Sequence, residues 1–215
     1  QGGVKISARG NVFAEFIENT TVDAGGLVQA NVILNARVSA KDKVISIGKR
    51  GAIIGGSVHA LKGIEAMTAG NDVELKTALH SGYAPESFDK LLEARRKEAE
   101  LKEKLSKLVD TMTEALREKR MRGASTPTNT EASLLEWNRL KDEYFAELDK
   151  VGKEREELET AMEQGRNSYI KIDGNIYRNV VIGINAERMT LERSTSFMKY
   201  AAEKGIIEGT VIVHN

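Results

Sequence analysis

Asn19-Thr20-Thr21-Val22-Asp23-Ala24 is echoed by Asn35-Ala36-Arg37-Val38-Ser39-Ala40, and both follow one pattern: asparagine, two spacers, an aliphatic, a polar residue, alanine. The aliphatic-x-Ala part occurs at Ile6, Val22, Val38 and Val58; the first two steps between starts are equal and the last is longer. At a fixed offset after each start comes a second aliphatic: Val12, Val28, Val44 and Ile64. A third set follows at Ile17, Ile33, Ile53 and Val73. Three short aliphatic-bearing segments per repeat are the grammar of a β-helix, in which each coil buries its inner residues against the coils above and below. At one fixed place before each start lie Gly3, Asn19, Asn35 and Gly55. These are the residue types that best tolerate a left-handed backbone, so the slot predicts a corner repeated on every coil. Stacked Asn19 and Asn35 are expected to hydrogen-bond along that corner. The uneven coil lengths favour a right-handed β-helix over a left-handed one, which runs on near-uniform hexapeptides.

Around this repeat the chain changes character twice. Residues 1–84 are the β-helix coils. Residues 85–166 are rich in Glu, Lys, Arg and Leu, with glycine only at Gly123, Gly152 and Gly165. Residues 167–215 return to β-branched runs such as Tyr169-Ile170-Lys171-Ile172 and Val180-Val181-Ile182. They are expected to supply closing coils and a C-terminal cap, with 194–205 the candidate capping segment.

The middle region predicts a long helical hairpin. After Pro85-Glu86-Ser87, with Ser87 a candidate N-cap, an apolar stripe runs through Leu91, Ala94, Leu101, Leu105, Leu108, Met112 and Ala115. Its alternating spacing of three and four is a coiled-coil seam, with Glu98 its polar member. The turn residues 123–129 interrupt it, and Thr128 with Glu131 offers a capping box, Thr130 being an alternative cap. The second stripe is carried by Leu134, Trp137, Lys141, Tyr144, Leu148, Val151, Arg155, Leu158 and Met162. One antiparallel register sets Leu91 against Met162, Leu105 against Leu148 and Ala115 against Trp137. The same register brings Glu98 opposite Arg155, which predicts an ion pair that sets the alignment more than it stabilises the coil.

Composition removes several classes of chemistry. Lys+Arg and Asp+Glu are both 32, so no charge excess recommends nucleic acid or an anionic membrane surface. With no cysteine there is no disulfide, thiolate metal site or cysteine nucleophile. No apolar run approaches the roughly 18 residues of a membrane span. The chain opens on Gln-Gly-Gly, without an initiator Met or a signal-peptide pattern, which suggests part of a longer protein. A cytoplasmic location is the expectation.

No catalytic, cofactor-binding or metal-binding residue is assigned, and no cofactor is expected. His59, His80 and His214 stand in dissimilar contexts, without the recurrence of a metal-ligand spacing. Gly48-Lys49-Arg50-Gly51 lacks the Gly-Lys-Ser/Thr order of a P-loop and reads as a coil corner. Ser57, Thr77 and Ser81 have no visible base partner, and Asp23, Asp42, Asp72 and Asp173 form no evident cluster in the repeat register.

Ala52-Ile53-Ile54-Gly55-Gly56-Ser57-Val58-His59-Ala60, then Gly70-Asn71-Asp72 and Leu79-His80-Ser81-Gly82, resemble the flagellar assembly protein A family of bacteria. Its closing motif is similar to Ile172-Asp173-Gly174-Asn175-Ile176-Tyr177-Arg178-Asn179-Val180-Val181-Ile182-Gly183-Ile184, with Arg178-Asn179 where the family often carries Pro-Gly. The resemblance spans essentially the whole chain. It implies a glycine-rich β-helix interrupted by a coiled coil, in a bacterial protein without known catalytic activity. It also implies that residues 167–215 resume the β-helix where residue 84 leaves it. The function expected is a non-catalytic scaffold that binds protein partners, or itself, through the helical arm or the β-helix ends, with a link to flagellar assembly or polar organisation. The alternatives are a polymer-forming cytoskeletal β-helix and a carbohydrate-active enzyme.

Overall fold

A computed structural model describes residues 4–46, 48, 50–84, 86–122 and 129–213. Gly3, Pro85, the turn at 123–128, the Thr128/Glu131 capping box with its alternative Thr130, Lys49 and His214 lie outside the described residues and side chains. The chain forms two compact units: residues 1–85 with 161–215, and residues 86–160.

The first unit is a β-solenoid of about four turns. The first coil holds β1 (Val4–Ala8) and β2 (Val12–Glu18), and the second β3 (Thr20–Ala24) and β4 (Val28–Ala40). The third holds β5 (Lys43–Ser46) and β6 (Ala52–Ala60), and the fourth β7 (Gly63–Ala66), β8 (Thr68–Ala69) and β9 (Thr77–Ser81). All pairings among these strands are parallel.

The repeat read from the sequence is the stacking register. Ile6, Val22, Val38, Val58 and Leu79 pair in succession, and the following alanines, Ala8, Ala24, Ala40 and Ala60, end against Ser81. Val12, Val28, Val44 and Ile64 form the second ladder. From Val22 onward the first ladder is buried, as are Val28, Val44 and Ile64 of the second. The third ladder is Ile17, Ile33, Ile53 and then Ala69, where Val73 was expected. Val73 is 72% exposed. In the fourth coil the additional residues follow the third strand as a loop over 71–76, so periodicity carried past them selects the wrong aliphatic.

The corner slot adopts the expected conformation: φ is 49° at Asn19, 46° at Asn35 and 67° at Gly55. Asn35 donates its side-chain amide to Asn19 Oδ1 at 2.7 Å. On the next coil the Thr77 hydroxyl takes over, accepting the Gly55 N–H at 2.8 Å.

α1 (Glu86–Arg122) and α2 (Asn129–Gly165) separate β9 from β10 (Tyr169–Ile176) and β11 (Val181–Ile184). β10 pairs in parallel with β7 and β8, and β11 with β9, so the solenoid resumes after the helices. Asn179, three places before Ile182, returns to the left-handed corner with φ 65°. The next strands reverse direction. β12 (Glu187–Thr190) runs antiparallel to β11, β13 (Thr195–Glu203) to β10, and β14 (Ile206–Val211) to β13.

In the second unit every seam position is buried or half-buried, from Leu91 and Ala94 on α1 to Arg155 and Leu158 on α2. Ala94, Leu101 and Val151 form its core with Tyr144 and Leu148. The helices run antiparallel, since Arg95 pairs with Glu159 and Lys97 with Glu147. Glu98 Oε2 lies 2.8 Å from Arg155 Nε, the pairing the seam register requires. α1 starts at Glu86, so Ser87 lies in its first turn instead of capping it; Glu86 and Asp89 place acidic side chains at the positive end of the helix dipole.

Candidate interaction faces

The parallel register carries side chains of equal rank onto one outward row. His59 pairs with His80, and both follow a buried aliphatic, Val58 or Leu79, so both leave the core side of their strands. Their ring centroids are 5.0 Å apart at 51°. His59 Nε2 lies 2.8 Å from the Gly82 carbonyl and His80 Nε2 2.8 Å from that of Asn185. A carbonyl only accepts, so each Nε2 carries the proton. His59 and His80, which look unrelated in sequence, are therefore stacked neighbours. Leu79-His80-Ser81 is the same motif as Val58-His59-Ala60, hidden by the Ser for Ala change and by a longer step than the coils before it. No group of three or more His, Asp or Glu that would hold a metal occurs among the described residues.

A second row crosses β5, β7 and β10. Lys43 Nζ donates to the Tyr169 hydroxyl at 2.7 Å, and that hydroxyl donates to Glu65 Oε1 at 2.5 Å. Lys43 also lies 3.1 Å from Glu65. Lys43 and Lys199 approach the Tyr169 ring at 5.2 and 5.0 Å from its centroid. The bond to Tyr169, then that to Glu65, holds the Lys43 ammonium charged well above the ordinary lysine range. Burial alone would raise the Glu65 carboxyl, but hydrogen bonds from Tyr169 and Lys43 outweigh it and lower its pKa. Burial, then the bond to Glu65, raises the Tyr169 phenol. All three groups are engaged with one another, an arrangement suited to clamping β10 onto the coils that precede the helices.

The aspartates singled out in the sequence are dispersed. Asp42 pairs with Lys62 at 3.2 Å and Asp173 with Lys171 at 2.9 Å. Ser81 is buried in its ladder between Ala60 and Ile184, Thr77 caps Gly55, and Ser57 is exposed.

Two apolar surfaces were not legible from the seam or the repeat. On the first coil Val4, Ile6, Phe13 and Phe16 are exposed, and β1 and β2 each have one pairing partner, β3 and β4. On the hairpin, Val109 and Leu116 of α1 are 42% and 49% exposed, and Leu135 and Phe145 of α2 are 73% and 52% exposed. Two heptads forward from Arg95 lead to Val109, and two heptads back from Glu159 lead to Phe145. Arg95 and Glu159 are a cross-helix pair, so the antiparallel register places Val109 opposite Phe145 on the same flank. The signal was present as a second, incomplete stripe one position beyond the seam at 109, 116, 135 and 145.

Among the described residues no helix is long and apolar enough to cross a membrane. No curated protein and no solved structure matches the chain. Residues 1–207 match the model of the flagellar assembly protein A β-solenoid domain, and the chain belongs to that family.

Proposed function

We propose that the chain is a non-catalytic scaffold in flagellar assembly that binds a protein partner through the flank of its helical hairpin. The observation that carries this reading is the apolar row Val109, Leu116, Leu135 and Phe145. Helices of a two-stranded coil need one seam each, and the seam here is already filled. A second apolar stripe on solvated helices costs solubility without stabilising the hairpin, and such surfaces mark protein contacts. An amphipathic helix lying along the flank is the partner it suits.

Val109→Glu with Phe145→Glu, introduced into the chain in its own cell, tests this. The expected result is defective flagellation and swimming at unchanged protein abundance and unchanged melting temperature. Normal flagella in cells carrying the folded double variant would overturn the reading.

The apolar side chains of the first coil favour a second reading, end-to-end self-association. Among the described residues β1 and β2 each pair on one side, and an edge of this kind beside exposed Val4, Phe13 and Phe16 is a template for further pairing. Light scattering over a concentration series, with Phe13→Lys and Phe16→Lys alongside, tests it. Growth in mass that the lysines suppress supports it, and a constant monomer mass removes it.

A further inference from the structure

Along one side of the solenoid, Thr21 pairs with Arg37, Arg37 with Ser57 and Ser57 with Ala78, four successive rungs of one outward row. These residues form one wall of a cleft of about 650 Å³. The Asn19–Asn35 corner forms the other, and Ala36 and Gly56 lie between. The small residues there are imposed by the backbone. Gly56 has φ +75°, and a Cβ on it would fall 2.1 Å from the Ala36 carbonyl oxygen. Glycine is therefore imposed at that point of the lining, where the next rung's backbone comes closest.

Its lining is rich in hydroxyls and amides, from Thr20, Thr21, Ser57, Asn19 and Asn35, and carries two cations, Arg37 and Lys76. No carboxylate lines it; Glu18, which accepts from the Asn19 amide at 3.4 Å, is not among the lining residues. Among the described residues neither Arg37 nor Lys76 has an ion-pair partner, in common with other exposed cations of this unit such as Lys5 and Arg9. In a chain of zero net charge this local excess is a feature of the site.

We propose that this cleft binds a short acidic oligosaccharide. Sugar hydroxyls match the Thr, Ser and Asn side chains, and sugar carboxylates match Arg37 and Lys76. The cations belong to coils two rungs apart, about 10 Å along the stack at the usual strand spacing. An elongated chain with acidic groups on separate rings can engage both cations at that spacing while its hydroxyls meet the Thr, Ser and Asn side chains between them. No aromatic side chain lines the cleft, so it lacks the stacking platform on which a nucleotide or single-stranded nucleic acid rests. Its volume is within the range of small-molecule sites. This site is on the solenoid and is independent of the hairpin face.

Titration calorimetry with the whole chain tests the proposal, using trigalacturonate as probe and maltotriose and pyrophosphate as comparisons. Trigalacturonate is expected to bind, with an affinity that falls as salt is raised. Arg37→Gln and Lys76→Gln are each expected to weaken it about tenfold, the loss of one charge-assisted contact. Ser57→Tyr fills the cleft without removing charge and is expected to abolish binding. All three residues are exposed, and unchanged melting curves verify the fold. Val109→Glu with Phe145→Glu should bind the trisaccharide like the parent chain, which separates this site from the docking face. Absence of trigalacturonate binding, equal binding of maltotriose, or equal binding of pyrophosphate at the same residues would each overturn the proposal.

Discussion

Asn35 passes its side-chain amide to Asn19 one coil away, and both residues hold a left-handed backbone at the same corner. One residue type thus meets two needs: an L-residue that tolerates positive φ, and a side chain that joins successive corners. Asn35→Ala loses both and is expected to cost about 1–3 kcal/mol. Asn35→Gly keeps the backbone and loses the amide bond alone, about 1 kcal/mol. Urea unfolding of the two variants checks the order. Equal losses would mean that the corner backbone carries no strain.

The third ladder runs through Ile53 and Ala69 and bypasses Val73. Ile53→Ala is expected to cost about 2–5 kcal/mol through the cavity it leaves. Val73→Ala, at an exposed position, should stay within about 0.5 kcal/mol. The same denaturation series distinguishes this register from the one that periodicity alone predicts.

Glu65 shows how the row across β5, β7 and β10 responds to pH. Its folded pKa lies below the ordinary glutamate value of 4.5. Its contribution is therefore complete above 4.5 and is lost as pH falls through the lower folded value. Glu65→Gln should flatten the acid limb of a stability–pH profile and leave the neutral-to-alkaline limb in place. Tyr169→Phe removes the hydroxyl shared by Lys43 and Glu65 and should cost about 1 kcal/mol, reduced from the buried-site value by partial solvation. An unchanged acid limb in the glutamine variant would show that the carboxylate is not the linked group.

Glu98 and Arg155 sit in the hairpin seam, and Arg155 also reaches Glu159 at 2.7 Å. Arg155→Leu alone removes the cross-helix partner of Glu98, leaving it only Lys102 of its own helix at 2.6 Å, and should lower the melting temperature. The double variant Glu98→Leu with Arg155→Leu should recover it, because a paired polar seam site is replaced by an apolar one. The charge pair specifies alignment, so the recovered variant should populate shifted registers, read by spin-label distances between α1 and α2. A single sharp distance in the double variant would mean that the remaining seam fixes the register unaided.

The coil register, the left-handed corner and the hairpin alignment were legible because each is encoded by a period. Inward aliphatics recur at the coil length, the corner accepts only a few residue types, and the 3–4 seam admits one antiparallel match for Glu98 and Arg155. The rows on the solenoid's outside were not legible, because outward positions carry no hydrophobic constraint and vary freely from coil to coil.

Burial must repeat wherever coils or helices repeat, so a stacked β-coil core and an interrupting antiparallel helical pair could be read from the chain alone, as could the absence of cysteine chemistry. Which residues meet across distance depends on the folded arrangement. It stacked His80 on His59, passed the third ladder to Ala69, reversed the chain at β12 and β13, and joined Lys43 to the sequence-distant Tyr169. The reason is physical. Periodicity reports which face of a strand is buried, whereas loop length and the direction of re-entry after α2 decide which strand it lies against.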